Sequence, residues 1–157
     1  MDHPAQPPQD VVVADAISAE LQTALSAVQA VETRCKDAFL PLLRDHGIVR
    51  VEVHYDGGGD EGAVCDVNAY AAHGDADLPG IQCDHHALEY NGEVSSRTIA
   101  LEDALSAFAE NAVCARHCGW ENGEGAHGTI SIDVASGTVG LTHNLRFIDY
   151  ETTETEL

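Results

Sequence analysis

The stretch that decides the fold is residues 49–71, which read VRVEVHYDGGGDEGAVCDVNAYA. From Val49 to Tyr55 every second side chain is apolar, and this period of two predicts a half-buried β-strand. A turn rich in glycine and acids follows at 56–62, and a second strand is expected around 63–71. The stretch therefore predicts two strands joined by a tight turn, which is an antiparallel connection.

On the N-terminal side of this pair, apolar residues recur every three or four positions over about seven turns, a spacing that places them on one face of a helix. They are Ile17, Leu21, Leu25, Val28, Val31, Cys35, Phe39 and Leu42. Pro41 lacks an N–H and is expected to kink or loosen the last turn. Gly47 is expected to end the helix as its C′ residue. The sequence thus predicts a long N-terminal helix.

On the C-terminal side, residues 73–84 are expected to be irregular because of their glycines, acids and proline. The pair Asn91-Gly92 predicts a short hairpin. A second helix is predicted after Thr98, its expected N-cap, and before Gly119, its expected stop. Its buried face is formed by Leu101, Leu105, Phe108 and Ala112.

Two further strands are predicted at about 129–134 and 139–147, joined by a turn at 135–137. The order is helix, strands, helix, strands, with hairpin-like connections. Such an order is typical of an α+β domain. The long N-terminal helix and the second helix are expected to pack on one face of a mainly antiparallel sheet of about 4–6 strands.

The length of 157 residues fits one domain. Residues 1–10 hold three of the five prolines and are expected to be a mobile leader. Residues 11–148 are expected to form the single α+β domain. Residues 149–157 hold four acids and no base, and are expected to be an acidic tail.

The charge limits the possible partners, because the chain has 27 acidic and seven basic residues and a formal net charge of −20. Affinity for nucleic acids and anionic membranes comes mainly from Lys and Arg, so direct binding to either is not expected. The charge fits a basic partner protein, or a surface whose acids only confer solubility. The chain has no apolar run long enough to span a membrane, and it has no signal peptide with a basic start and an apolar stretch. These features indicate a cytoplasmic protein, in which the cysteines are expected to be reduced.

Two glycine-rich segments carry a resemblance to a known family. Residues 55–62 read YDGGGDEG and residues 119–126 read GWENGEGA. Together they resemble an uncharacterised bacterial family, a domain of unknown function, over roughly residues 40–150. That family has a Tyr-Asp-Gly-x-Gly-Asp-x-Gly hairpin and a second segment that tends to read Gly-Trp-Glu-Asn-Asn-(Asp/Glu)-Gly-Ala. In this chain Gly123 replaces the second Asn, and Glu61 stands where Ser is common. The resemblance implies a shared architecture and a shared surface formed by the two loops, and it supplies no catalytic residues.

The polar residues of these loops, with the only tryptophan, are the predicted partner-binding residues. They are Asp56, Asp60, Glu61, Trp120, Glu121, Asn122 and Glu124. Two alternatives remain for the first loop: a solvated hairpin tip, or a Ca²⁺ or Mg²⁺ site, although its spacing is not that of an EF-hand. Two alternatives also remain for the tryptophan, which either caps the core or acts as a binding hot spot.

Cysteine and histidine residues form two clusters that could together ligate zinc, which prefers four Cys or His ligands. The candidate ligands are Cys83, His85, His86, Cys114, His117 and Cys118. Neither cluster contains a C-x-x-C pair, so the alternative is packed thiols with surface histidines.

Enzymatic activity is not favoured. The chain has no nucleophile elbow, Walker A loop, dinucleotide-binding motif or H-E-x-x-H motif, and its negative field should oppose formation of a reactive thiolate. The predicted function is a non-enzymatic acidic module that binds a basic, nucleic-acid-handling protein. One form is a DNA-mimicking inhibitor of a bacterial defence nuclease, carried by a mobile element. The alternatives are a small zinc-binding domain and an enzyme with a cleft between the two loops.

Overall fold

The computed structural model describes residues 9–157, and it describes the side chains of residues 18–157 other than that of Cys65. This range contains two helices and seven strands. In chain order they are α1 (Gln9–Asp45), β1 (Ile48–Gly58), β2 (Glu61–Ala71), β3 (Gly74–Ala76), β4 (Gln82–Leu88), β5 (Val94–Ala100), α2 (Leu101–Arg116), β6 (Ala126–Asp133) and β7 (Val139–Leu145). Residues 1–8 of the predicted leader (1–10) lie outside the described residues, and its last two residues belong to α1, which begins at Gln9.

Five strands form one antiparallel sheet in the order β3-β2-β1-β6-β7, and β4 and β5 form a separate antiparallel pair. Buried side chains from both helices and from the strands form one apolar core. This arrangement confirms the predicted α+β fold with a long N-terminal helix. It adds the detail that the β4–β5 hairpin is not part of the large sheet.

Strand β1 lies at the centre of the large sheet, between β2 and β6. Its alternate residues Val51, Val53 and Tyr55 are buried, as the period of two predicts. The residues that face them across the ladder on β6 include Ile130 and Ile132, which are also buried. Burial of alternating apolar residues on paired strands fixes which face of the sheet meets the helices.

The two helices meet through an edge-to-face contact between Phe39 and Phe108, whose ring centroids are 5.1 Å apart. Among the side chains that the structure describes, the predicted apolar stripe of α1 is buried only from Val31 onwards. Leu21 and Leu25 belong to the same stripe but are 61% and 49% exposed. The periodicity therefore predicted the helix correctly, whereas the core covers only its C-terminal part.

The end of α1 follows the expected chemistry in part. The helix continues through Pro41 and ends at Asp45. Gly47 has a φ of 71°, the left-handed conformation in which glycine commonly terminates a helix.

The prediction of Thr98 as an N-cap is wrong. Thr98 lies in β5 opposite Asp84, and its hydroxyl donates a hydrogen bond of 2.8 Å to that carboxylate. The helix begins at Leu101 after Ala100, which makes no side-chain capping bond. Pairing with β4 therefore extends β5 to Ala100, the residue directly before α2. At the other end, α2 stops at Arg116, before the predicted stop at Gly119.

The expectation of irregular chain over 73–84 is also incorrect in part, because β3 lies within this segment and β4 begins at Gln82. The predicted hairpin at Asn91-Gly92 is present, with a longer loop than the two residues that this pair favours. Glu89 N donates to Glu93 O at 2.7 Å, and Gly92 has a φ of 84°. A three-residue loop whose last residue is left-handed is a common hairpin closure.

The last predicted strand is shorter than expected. Strand β7 ends at Leu145, and Phe147 lies beyond it with 83% of its side chain exposed. Residues 146–157 are exposed and form neither helix nor strand. Among the described residues, no helix is long and apolar enough to cross a membrane.

Candidate functional site

The two glycine-rich segments form one unit, which we call the paired loops: the β1–β2 turn (57–62) and the α2–β6 connection (117–125). Main-chain hydrogen bonds join them directly. Gly59 N donates to Gly123 O at 2.9 Å, and Asp60 N donates to Glu121 O at 3.0 Å. Because main-chain bonds define the distance between the loops, side chains on both are presented in a fixed arrangement.

The β1–β2 turn is a tight one. Gly58 pairs with Glu61, so Gly59 and Asp60 are the two central residues, with φ values of 61° and 67°. Positive φ at both central residues is the signature of a type I′ turn, whose twist matches that of antiparallel strands. The turn places the side chains of Asp60 and Glu61 at the exposed tip.

Trp120 fills the space beneath this turn and is only 6% exposed. Its ring meets Tyr55 edge to face, with centroids 5.1 Å apart. A Cβ atom on Gly57 would lie 2.6 Å from the Trp120 ring, and one on Gly62 would lie 2.5 Å from it. Glycine is therefore required at both positions for the indole to fit. The tryptophan holds the loops from within, and it also lines a surface depression with Asp60, Glu61 and Glu121.

Arg146 fastens the base of the paired loops. Its guanidinium contacts Asp56 at 2.8 Å and donates to Gly57 O at 3.0 Å, and its main-chain N donates to Gly125 O at 3.0 Å. Asp56, a predicted partner-binding residue, thus already has a basic partner within the chain. Arg146 was not identified from the sequence, because it lies 90 positions from Asp56 and carries no local motif.

The acids of the paired loops converge on a shallow depression with a volume of about 330 Å³. Among the described residues that line it, none is basic, and the four acids are Asp60, Glu61, Glu110 and Glu121. Glu110 lies on α2 and was not among the predicted site residues. It precedes Cys114 by one helical turn, which places both on the side of α2 that faces the loops. The other two predicted residues, Asn122 and Glu124, are exposed beside the depression on the second loop.

The six predicted zinc ligands are divided between different surroundings. His85, His86 and Cys114 line one cavity together with Cys35, whereas His117 stacks on His143 with ring centroids 3.7 Å apart. Cys83 is buried and Cys118 is exposed. Among the side chains that the structure describes, no group of three or more His, Cys, Asp or Glu is arranged to hold a metal ion. Zinc binding stays a prediction, which the metal content of the purified protein would test.

Three thiols have pKa values above the ordinary range. Burial raises the pKa of Cys83 to about 11, and burial is also the largest cause of the raised pKa values of Cys35 and Cys114. A hydrogen bond with the Trp120 side chain opposes part of the increase at Cys114. The direction agrees with the expectation from the negative charge, but desolvation contributes more than the nearby acids. Thiols in this state are poor nucleophiles.

A histidine cluster adjoins the paired loops. The Tyr55 hydroxyl forms a 2.5 Å hydrogen bond with Nδ1 of His143, and Nε2 of His143 is buried without a hydrogen-bond partner among the described residues. Burial lowers the pKa of His143, and the charges of His117 and His127 lower it further. Burial and the two neighbouring imidazoles thus all oppose protonation of His143.

We expect the free energy of unfolding to fall as the pH decreases below about 6.5, the ordinary pKa of histidine. The unfolded chain takes up a proton there, while the folded pKa of His143 is lower, so acid favours the unfolded state. Urea unfolding measured across this pH range should show a smaller decrease for His143→Gln than for the wild type. The exposed His73→Gln serves as the control. Equal pH profiles for all three proteins would exclude His143 as the source.

Comparison with known proteins identifies a family. A family model described as a family of unknown function, DUF6878, matches residues 31–157. The match begins at Val31, where burial of α1 in the core begins among the described side chains. It includes part of α1 and the acidic tail, which the predicted coverage of roughly 40–150 left out. No curated protein and no solved structure matches the chain.

Proposed function

The chain belongs to the DUF6878 family of unknown function, and from this premise we propose that it is a non-enzymatic interaction protein whose paired loops bind a basic, nucleic-acid-handling protein. One observation carries the proposal. Four carboxylates line a single depression, and main-chain hydrogen bonds hold the loops that supply three of them. A preorganised acidic surface attracts a basic partner and orients it before contact.

The distribution of charge supports a basic partner. Between Asp56 and Glu124 the chain carries 14 acidic residues and only Arg97 and Arg116 as bases. Arg116 is itself paired with Glu32 at 2.8 Å. The segment around the depression therefore has few charges that would repel a cationic surface. Proteins that handle nucleic acids have such surfaces, because they must neutralise phosphates.

We propose that the carboxylates act as a DNA mimic. One example is an inhibitor of a bacterial defence nuclease; the inhibitor would be encoded on a mobile element and would act in the cytoplasm.

The proposed family motif fits the geometry of the second loop. Position 123 has a φ of 61° and open space around it, a conformation that glycine and asparagine adopt most readily. The Asn of the proposed motif would therefore fit where this chain has Gly123.

The test is a comparison of two triple variants with the same change in net charge. The loop variant carries Asp60→Asn, Glu61→Gln and Glu121→Gln, and the tail variant carries Glu151→Gln, Glu154→Gln and Glu156→Gln. Wild-type protein first captures its partner from a bacterial lysate at low salt, and mass spectrometry identifies it. We expect the loop variant to bind the purified partner at least about tenfold more weakly, and the tail variant to bind it within about twofold of wild type. Asp56 is left unchanged because its ion pair with Arg146 supports the fold.

Competition with duplex DNA distinguishes a DNA mimic from another acidic ligand. A mimic and DNA occupy the same basic groove, so DNA should displace the chain from its partner, and added salt should weaken both complexes. Equal losses of affinity in the loop and tail variants would show that total charge is sufficient, and would contradict the role of the paired loops. Capture of no basic protein would contradict the proposed function.

A further inference from the structure

A second site lies in a cavity between α1, β4 and α2 with a volume of about 220 Å³, and Cys114 lines both this cavity and the acidic depression. Its wall is largely apolar and includes Val31, Leu88 and Phe108. The engineered dry cavity that binds benzene in another protein measures about 150 Å³, so this one can hold a molecule with a single ring. The paired loops contribute no residue to it.

The cavity wall contains one buried polar ring, that of His85, which is only 3% exposed. Its Nδ1 lies 3.9 Å from Sγ of Cys35. That thiol donates its own hydrogen to His86 O at 3.1 Å. The sulfur is therefore free to accept from Nδ1–H, and in that tautomer Nε2 carries the lone pair.

The imidazole is uncharged near neutral pH. Burial lowers the pKa of His85, and the nearby Arg97 and His86 lower it further. Nε2 has no hydrogen-bond partner among the described residues, although its ring lies almost wholly within the protein. Nε2 is not among the fully buried atoms that lack a partner, so water can reach it, and a ligand with a donor can replace that water.

We propose that this cavity binds a small, mainly apolar molecule of single-ring size that donates one O–H or N–H hydrogen bond to Nε2 of His85. The apolar wall supplies most of the affinity through burial. The imidazole supplies selectivity, because it distinguishes a ligand with a donor from an apolar ligand of the same shape. The proposal does not rest on the proposed partner surface, although Cys114 lines both sites.

Phenol and toluene are the probes, because they share size and shape and differ in a single O–H donor. Nuclear magnetic resonance titration of the wild-type chain should show saturable shifts at residues that line the cavity with both probes. The Nε2 nitrogen signal of His85 should move with phenol and stay constant with toluene. In His85→Leu we expect the Kd of phenol to increase about tenfold, while that of toluene stays within about twofold or decreases.

His73→Gln is the control, since it removes an exposed histidine remote from the cavity and should bind both probes as the wild type does. Absence of saturable shifts at the cavity with either probe would overturn the proposal. So would an unchanged Nε2 signal at saturating phenol, or equal changes of both affinities in His85→Leu. If that variant does not fold, the Nε2 signal of the wild-type protein decides alone.

Discussion

Gly125→Ala is expected to lower the free energy of unfolding by about 4 kcal/mol. This loss is the sum of the strain of an alanine in the left-handed conformation and the cost of a steric clash. Gly125 has a φ of 78°, and a Cβ atom there would overlap the carbonyl oxygen of Gly57 and lie 2.6 Å from Cα of Gly58. Both contacts are with main chain, which cannot rotate away as a side chain can. The β1–β2 turn and the second loop would have to separate. Urea unfolding followed by circular dichroism measures the loss.

The matched control is Gly123→Ala, two residues earlier in the same loop. Gly123 also has a positive φ, of 61°, but a Cβ atom there would meet nothing within 4 Å. We expect a loss of only about 1 kcal/mol, the cost of a left-handed alanine. The difference between the two variants measures the close approach of the loops. Equal losses would show that the loops are not held at the distance observed.

Trp120→Ala is expected to lower the free energy of unfolding by a similar amount, about 4 kcal/mol, because it leaves a large cavity in a buried site. The ring lies beneath Gly57 and Gly62 and against Tyr55, so its removal takes away the packing that supports the turn. The amides of Gly59 and Asp60, which bond to the second loop, should then exchange hydrogen faster.

Tyr90→Ala is the control for Trp120→Ala, since Tyr90 is fully exposed in the β4–β5 turn and its loss should cost no more than about 0.5 kcal/mol. Exchange at Gly59 and Asp60 should be unchanged in this variant. If Trp120→Ala loses stability while these two amides keep their exchange rates, the main-chain bonds alone hold the loops. The tryptophan would then be an ordinary core residue without a role in presenting the acids.

The fold followed from local periodicity wherever one face of an element is apolar. The alternation around Val51 and Val53 predicted β1, and the spacing that includes Val31 and Phe39 predicted α1. The Asn91-Gly92 pair predicted the hairpin, but the extent of β5 was not predicted, because most of its residues are exposed and the sequence Val94–Ala100 has no apolar alternation. Its strand conformation comes from the ladder with β4, in which Thr98 pairs with Asp84.

The sequence predicted that the two loops share a surface, but it did not identify all the residues that form the candidate site. The resemblance implied that the two glycine-rich segments share a surface, and the hydrogen bonds of Gly59 and Asp60 to the second loop agree with this. Glu110 was missed because an acid on a helix has no local feature that marks it as part of a site. His85 was interpreted as a metal ligand or a surface histidine, because its contact with Cys35 joins positions 50 residues apart and is not visible in the sequence.

The sequence by itself determined the charge, the two helices, the strands with clear alternation and the glycine turns, since these depend on residues within a few positions of one another. Only the tertiary structure decided which groups meet. It paired Asp56 with Arg146, buried Trp120 beneath the turn, and brought Glu110 to the acids of the loops. The physical reason is that burial and ion pairing act through space, so they exist only after distant segments have packed together.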